Sequence, residues 1–292
     1  MYQLIAIDLD GTLLDSYGEI SIENKEAISY AIQKGVEVVL ASGRGNRSIE
    51  TMAMDLGANH YMICGNGANV YDFQKQENIY NRYLEKNKVL QIIKICEENS
   101  IYYNVFTENT IITKSLSYNT LFYNEENAKK PEDKRTSIHI VEDVYEYVAN
   151  TQNTNFLKIT ICDNYKIIFE HIMKKLRLIK GVDVLEVAHM ARKIIKIGTE
   201  EKSIEYFYTE VTNQNVDKWN AIDFLIRTLQ IPKENVIAIG DNVNDISMIQ
   251  NAGMGVAMGN SAGYIKENAD LVVADNNENG VAEAIYKLIK WK

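Results

Sequence analysis

Leu4-Ile5-Ala6-Ile7-Asp8-Leu9-Asp10-Gly11-Thr12 is the stretch whose reading decides the fold. Four apolar residues without alternation read as a strand buried on both faces, the pattern of a parallel sheet covered by helices. The run stops at two carboxylates. Side chains two apart on a strand point to one side, so Asp8 and Asp10 converge if the extended geometry persists. Gly11 lets the chain turn sharply, and Thr12 brings a hydroxyl to hold the turn. Taken alone, Asp-Gly is also a common surface-turn dipeptide, so the surrounding chain has to decide.

Outward from this stretch the first third alternates short apolar runs with helical patterns. Ala27, Ile28, Ala31 and Ile32 recur at helical spacing, Ser21 is placed to cap that helix and Gly35 to end it. Val36 to Ala41 is the next strand, followed by Ser42-Gly43-Arg44, and Tyr61 to Cys64 stops at Gly65-Asn66-Gly67-Ala68. The last third repeats the rhythm: Val236 to Ile239 before Gly240-Asp241, Val256 to Met258 before Gly259-Asn260, and Leu271 to Ala274 before Asp275. The expectation is an α/β fold, a doubly wound parallel sheet with helices on both faces. In such sheets the carboxyl ends of the strands line the ligand crevice, which gathers Asp8, Ser42, Asn66 and Asp241 despite their separation in sequence.

Between the two thirds the texture changes. Tyrosines and asparagines become frequent, with apolar segments at Ile101 to Phe106, Phe156 to Ile161 and Ile194 to Ile197 and helical patterns at Val89 to Cys96 and Ile167 to Leu178. We read residues 83–207 as an inserted α+β domain and residues 1–82 with 208–292 as the core, with Asn124 to Ser137 as the main loop of the insert.

Composition excludes several classes. At 292 residues and 46% hydrophobic content the chain has core enough for two domains. A net charge of -9 opposes polyanions, and the nearest approach to a basic patch, Lys129 to Arg135, contains two acids and a proline, so nucleic acid is not an expected partner. No apolar stretch reaches the ~18 residues of a membrane span. Cys64, Cys96 and Cys162 are far apart and form no Cys-x-x-Cys, which suggests neither zinc nor a disulfide framework and fits a reducing cytoplasm. The N-terminus lacks the basic and apolar regions of a signal peptide. His60, His139, His171 and His189 show no metal-ligand spacing, although His139 and His189 lie in the insert and are within its reach of a substrate.

Gly240-Asp241-Asn242-Val243-Asn244-Asp245 adds two carboxylates about one helical turn apart. A calcium loop would need a glutamate twelve positions along, where Ala252 stands. A cluster of aspartates calls for a cation, and Mg2+ suits hard oxygen ligands and shares its shell with phosphate and water.

These segments together resemble the haloacid dehalogenase (HAD) superfamily, in particular its Cof-type phosphatases of subfamily IIB. Asp8-Leu9-Asp10-Gly11-Thr12, Ala41-Ser42-Gly43-Arg44, Lys218 and Gly240 to Asp245 match the four motifs in order. The likeness continues through Gly65 to Ala68, Asn251-Ala252-Gly253, Val256 to Asn260 and Gly280-Val281-Ala282. It implies a HAD-like Rossmannoid core and an inserted cap that selects the substrate. It also implies a magnesium-dependent phosphatase of small phosphorylated metabolites, sugar phosphates foremost; whether it is a monomer or a homodimer stays open. Asp8 is then the nucleophile that becomes an aspartyl phosphate, and Asp10 the general acid and base. Asp8, the carbonyl of Asp10 and Asp241 hold the metal, with Asp245 orienting them. The backbone around Leu9, Ser42, Gly43, Lys218 and Asn244 receive phosphoryl oxygens. Arg44 and Asn66 are candidate substrate contacts, and for Arg44 a structural ion pair stays equally open. Ser42 stands where threonine is commoner, and Trp219 where a small residue is; the ring is expected in the core. A phosphomutase on hexose phosphates and a non-catalytic phosphometabolite sensor are the rival readings.

Overall fold

The computed structural model describes residues 1–185, 191–197 and 200–289. The chain forms two compact units: residues Met1–Asn81 together with the chain from Asp217 onward, and residues Arg82–Val216. Residues 208–216, placed with the core by sequence, fall in the second unit, where 208–213 complete a long strand that begins at Glu200.

In the first unit β1 (Leu4–Ile7) leads to α1 (Ile22–Gln33), β2 (Glu37–Ala41), α2 (Asn46–Leu56) and β3 (Tyr61–Cys64). Ser21 caps α1 by accepting the N–H of Asn24 at 3.1 Å, and Gly35 follows the helix with φ +77°, where a β-carbon would be strained. A hairpin of β4 (Asn69–Asp72) and β5 (Glu77–Asn81) comes next. Its turn is tied by Asp72, whose carboxylate accepts the N–H groups of Gln74 and Lys75.

The second unit comprises α3 (Lys86–Glu98), β6 (Tyr102–Thr107), β7 (Thr110–Thr113), α4 (Asn119–Ala128), β8 (Ser137–Ile140), α5 (Val144–Asn150), β9 (Phe156–Asp163), α6 (Lys166–Leu176), β10 (Val182–Val184), β11 (Ala191–Ile197) and β12 (Glu200–Asn213). Its sheet runs β10-β12-β9-β6-β7-β8, with β11 paired to β12. The segment Asn124 to Ser137 is only partly the expected loop. α4 extends through Ala128, and its side chain at Asn127 bonds the backbone of Thr136 in both directions, closing the rest against the helix. His189 lies outside the described residues.

The chain returns to the first unit with α7 (Lys218–Thr228), β13 (Val236–Gly240), α8 (Ile246–Asn251), β14 (Met254–Ala257), α9 (Gly263–Lys266), β15 (Leu271–Val272) and α10 (Gly280–Leu288). The sheet order is β15-β14-β13-β1-β2-β3-β4-β5. Six strands are parallel as expected, whereas β4 and β5 are antiparallel. The hairpin was not legible because β4, though buried, is half polar and β5 is half-exposed, so neither shows the apolar run that marks a buried strand.

Parity along the strands builds three layers. Ile5 and Ile7 pack with Ile28 of α1, Ile49 of α2 and Ile285 of α10, while Leu4 and Ala6 pack with Ile222 and Leu225 of α7 and Met248 of α8. Each such isoleucine is worth on the order of 1.5–3 kcal/mol when fully buried, which makes the register of β1 hard to shift. Trp219 packs against the second of these clusters, as its helical spacing predicted. No helix of the described residues is long and apolar enough to cross a membrane.

Candidate active site

Register places the chemistry. Ile7 pairs with Leu40 on one side and Ile239 on the other, and Ala41 with Ile63, so the strand ends of β1, β2, β3 and β13 lie side by side. The ladders continue one residue further: Asp8 N–H donates to the carbonyl of Ile239 at 3.0 Å and Ser42 N–H to that of Ile63 at 2.9 Å. Asp8 and Ser42 are therefore held by backbone bonds, not by loops.

Lys218, the first residue of α7, is the charge centre of this edge. It is fully buried, and its Nζ donates to Asp8 Oδ1 at 2.5 Å and to Asp245 Oδ1 at 2.6 Å. Read alone it is a surface lysine; here two carboxylates compensate its burial and hold its ammonium firmly protonated. The other oxygen of Asp245 accepts the N–H groups of Asp241 and Asn242, both at 3.0 Å, so Asp245 is occupied on both sides and orients its neighbours. Carboxylate oxygens of Asp8, Asp241 and Asp245 lie within 4.8 Å of one another. Burial, then the charge of Asp245, push the Asp8 carboxyl from 3.8 up to about 7 against the opposing pull of Lys218. Burial and the charge of Asp8 likewise raise Asp241 well above the carboxylate range.

Asp8 bonds Lys218, and Asp10 meets a different cation. After Asp8 the chain turns, with Leu14 N–H bonding the carbonyl of Leu9 at 2.9 Å. Asp10 instead meets Arg44 in a two-pronged pair, Nε to Oδ2 at 2.8 Å and Nη2 to Oδ1 at 2.9 Å, and Arg44 Nη1 also donates to Ser48 at 3.1 Å. Of the two roles open to Arg44, the structure therefore displays the ion pair. Ser42 is buried, its hydroxyl accepting the N–H of Arg44 at 3.2 Å, with Gly43 half-buried between them. Asn244 donates to Asn66 Oδ1 at 3.0 Å, and Asn66 N–H to the carbonyl of Ser42 at 2.9 Å. Leu9 is buried in the core below. Among the histidines with described side chains, His60 bonds Glu37, His139 bonds Tyr147, and His171 is exposed.

Sequence reasoning missed three positioning residues. The hydroxyl of Thr12 does not merely hold its own turn; it donates to Asp241 Oδ1 at 2.9 Å across 229 residues. Asn260 donates to the carbonyl of Gly11 at 2.8 Å and approaches Asp241 Oδ2 at 3.5 Å. Its place in Val256 to Asn260 was the available signal. Gly67, read as part of a tight turn, has φ +98°, and a β-carbon there would sit 2.2 Å from the carbonyl oxygen of Asp217. Asp217 caps α7 by accepting the N–H groups of Trp219 and Asn220, and so sets where Lys218 begins. Gly67→Ala should cost at least about 2 kcal/mol by combining backbone strain with this clash. Urea unfolding measures it, and an unchanged midpoint would refute the packing described.

The described haloacid dehalogenase-like hydrolase profile matches residues 5–285. The chain belongs to the haloacid dehalogenase-like hydrolases. Over 98% of this chain and all of the relative, it is 30% identical to the phosphatase YwpJ of Bacillus subtilis. It is also 30% identical to the 5-amino-6-(5-phospho-D-ribitylamino)uracil phosphatase YcsE of Bacillus subtilis, over 97% of this chain and 94% of the relative. A solved haloacid dehalogenase-like hydrolase from B. subtilis superposes with a TM-score of 0.79 at 27% identity, covering 99% of this chain and all of that one. This hydrolase is accordingly a phosphatase, a phosphoric monoester hydrolase with a core of the HAD type.

The acidic cluster of the hydrolase fits a metal ion. Its donors are all oxygens, the choice of hard cations, and of the three clustered carboxylates Asp8 and Asp245 share the Lys218 ammonium while Asp241 adds a further acidic group. Burial first, and then the like charge of the neighbouring carboxylates, pull Asp8 and Asp241 upward, a cost that a bound cation would relieve.

Proposed function

We propose that this hydrolase is a magnesium-dependent phosphatase of small phosphorylated metabolites, sugar phosphates foremost, acting through an aspartyl phosphate on Asp8. The observation that carries the reading is Asp8 itself. It is a buried carboxylate on a strand-anchored backbone, one oxygen oriented by Lys218, beside two further carboxylates. An oxygen of Asp8 attacks phosphorus while the bond to the ester oxygen breaks, and Asp10 supplies the proton that the departing alkoxide needs. Asp10 then takes a proton from water, whose oxygen attacks phosphorus and releases Asp8 and inorganic phosphate. Arg44 holds Asp10 in position between these events. Phosphoryl oxygens are received by the backbone at Leu9, by Ser42 and Gly43, by Lys218 and by Asn244 as fixed donors. Asn66 fixes the amide of Asn244. Asp8, the carbonyl of Asp10 and Asp241 would hold Mg2+, with Asp245 orienting Asp241 through its N–H. When bound, the ion supplies charge that offsets that of the phosphoryl group.

The preference for sugar phosphates draws support from the relative YcsE, whose named substrate carries a phosphorylated ribityl group. The residues of the second unit are proposed to select among substrates. A panel of sugar, alditol and cofactor phosphates with Mg2+, read by released inorganic phosphate, tests the assignment. Absence of turnover on the panel and on p-nitrophenyl phosphate would sink it, and isomerised hexose phosphate without free phosphate would favour a mutase.

Metal binding has a pH signature. Because folding raises the Asp8 pKa from 3.8 to about 7, the folded chain holds a proton there that the unfolded chain has lost. That contribution to stability is complete below about pH 4 and disappears as pH rises to about 7. Ligation needs the ionised form, so added Mg2+ should raise the melting temperature more at pH 8 than at pH 5. Equal shifts at both pH values would contradict a metal held by Asp8.

A further inference from the structure

The loop after β15 supplies none of the phosphate or metal groups proposed above, yet its polar contacts converge on the turn after Asp8. Asn276 Nδ2 donates to the carbonyl of Leu14 at 2.8 Å, and Asn277 Oδ1 accepts the N–H of Ser16 at 3.0 Å. A further contact is relayed. Asn276 N–H donates to Asn260 Oδ1 at 3.2 Å, and Asn260 in turn donates to the carbonyl of Gly11 at 2.8 Å.

The loop is itself braced. Asp275 Oδ1 accepts the N–H of Asn277 at 2.7 Å. At the base, the N–H of Ala274 donates to Glu283 of α10 at 2.7 Å, and the carbonyl of Ala274 accepts from Gly259 at 3.0 Å. Gly280 closes the other end, where a β-carbon would lie 2.1 Å from the carbonyl oxygen of Ala274. A platform tied at both ends fixes whatever is bonded to it.

What it fixes is the turn that carries Asp10. Leu9, Leu13 and Leu14 are buried in the apolar cluster, whereas the Asp10 side chain is 43% exposed. Asp10 and Leu14 pair across the turn in an isolated backbone bridge, so the carbonyl gripped by Asn276 belongs to the bridge partner of Asp10. Asn276 is half-buried, and Asn260 and Asn277 are exposed. Bonds from such side chains add little to stability, because water offers the same partners. Position is where they count. A general acid must stand within hydrogen-bond reach of the oxygen it protonates, and a misplacement of ~1 Å costs on the order of 10²-fold in rate. The amide also donates without bringing charge, whereas a carboxylate at 276 would turn an acceptor toward the Leu14 carbonyl.

We propose that Asn276 is a positioning residue for Asp10. Through Leu14, and through Asn260 and Gly11, it fixes the turn from which Asp10 gives its proton to the departing ester oxygen as the bond to phosphorus breaks. The role deepens the phosphatase assignment and rests on it, with Asp10 as the acid.

Leaving-group dependence tests it. kcat/KM covers the steps up to departure of the alcohol, and an alkoxide needs the proton of Asp10 far more than p-nitrophenolate, which leaves as a stabilised anion. Asn276→Ala removes the amide, and Asn276→Asp keeps its shape without the donor. In the full-length protein with Mg2+, each should lower kcat/KM for the best sugar or alditol phosphate of the panel about 10-fold more than for p-nitrophenyl phosphate, with phenyl phosphate between them. Asp10→Asn is the reference and should show the same order with larger losses. If it does not, the acid assignment falls and the role of Asn276 with it. Melting curves identify a variant that fails to fold, and the other then decides; failure of both marks a structural clamp and overturns the role. Equal losses on all three esters, or none, overturn it while the phosphatase stands. If the wild type takes only the aryl esters, phenyl against p-nitrophenyl phosphate decides. If it hydrolyses none of them, the phosphatase assignment falls first.

Discussion

Asp8→Asn should abolish turnover, with kcat reduced by at least about 10⁴-fold, while the protein stays folded. Asparagine has the shape of aspartate and keeps one oxygen to accept from Lys218, so the strand-end geometry survives. What it loses is the charge that attacks phosphorus. The same substitution removes one of three clustered carboxylates, two of which bond one ammonium. The ionised form of Asp8 is opposed by burial and by Asp245, so the metal-free variant should melt no lower than the wild type at pH 8. Steady-state assays and thermal melts together check both parts. Full activity would exclude Asp8 as the nucleophile, and a large loss of stability would contradict the electrostatic description of the cluster.

Lys218→Met is expected to have the opposite balance, costing stability as well as activity. Methionine fills much of the same buried volume but leaves Asp8 and Asp245 facing each other without their shared ammonium. Removing one partner of a buried ion pair typically costs about 3–5 kcal/mol, because the remaining charge is stranded in low dielectric. The sign of the pH dependence follows from Asp8. Lys218 lowers its pKa, so the ammonium stabilises only the ionised form, and its loss matters less where Asp8 is protonated. Destabilisation should therefore be larger at pH 8 than at pH 5. Chemical denaturation at the two pH values reads this directly, and an equal or reversed difference would place the lysine's role outside the carboxylate pair.

Several features were open to reading because their cause is local. The runs at Leu4 to Ile7 and Val236 to Ile239 specify strands buried on both faces, and Ser21 and Gly35 flank the 12-residue α1. The ordered motifs extend this to the site: Asp8, Ser42, Lys218, Asp241 and Asp245 meet at one sheet edge. Features that depend on a distant partner were not open to it. The carboxylate of Asp10 is shown with Arg44 and that of Asp8 with Lys218, a division that depends on the turn after Leu9. Thr12 reads as a turn hydroxyl until Asp241 arrives from the far end of the chain. The β4–β5 hairpin carries too little apolar pattern to be seen, and the C-terminal half of α4 takes up the first residues of an apparent loop.

A parallel α/β core, an insert and the acidic residues at strand ends follow from short segments alone, because apolar periodicity and motif spacing are written into them. What those residues do to one another depends on the packed fold. It took a lysine that any local reading would leave in water, buried it completely, and set it between Asp8 and Asp245. The physical reason is that charge interactions depend on distance and dielectric. Both are properties of the packed chain, and neither exists before residues 210 apart in sequence are brought within 2.5 Å.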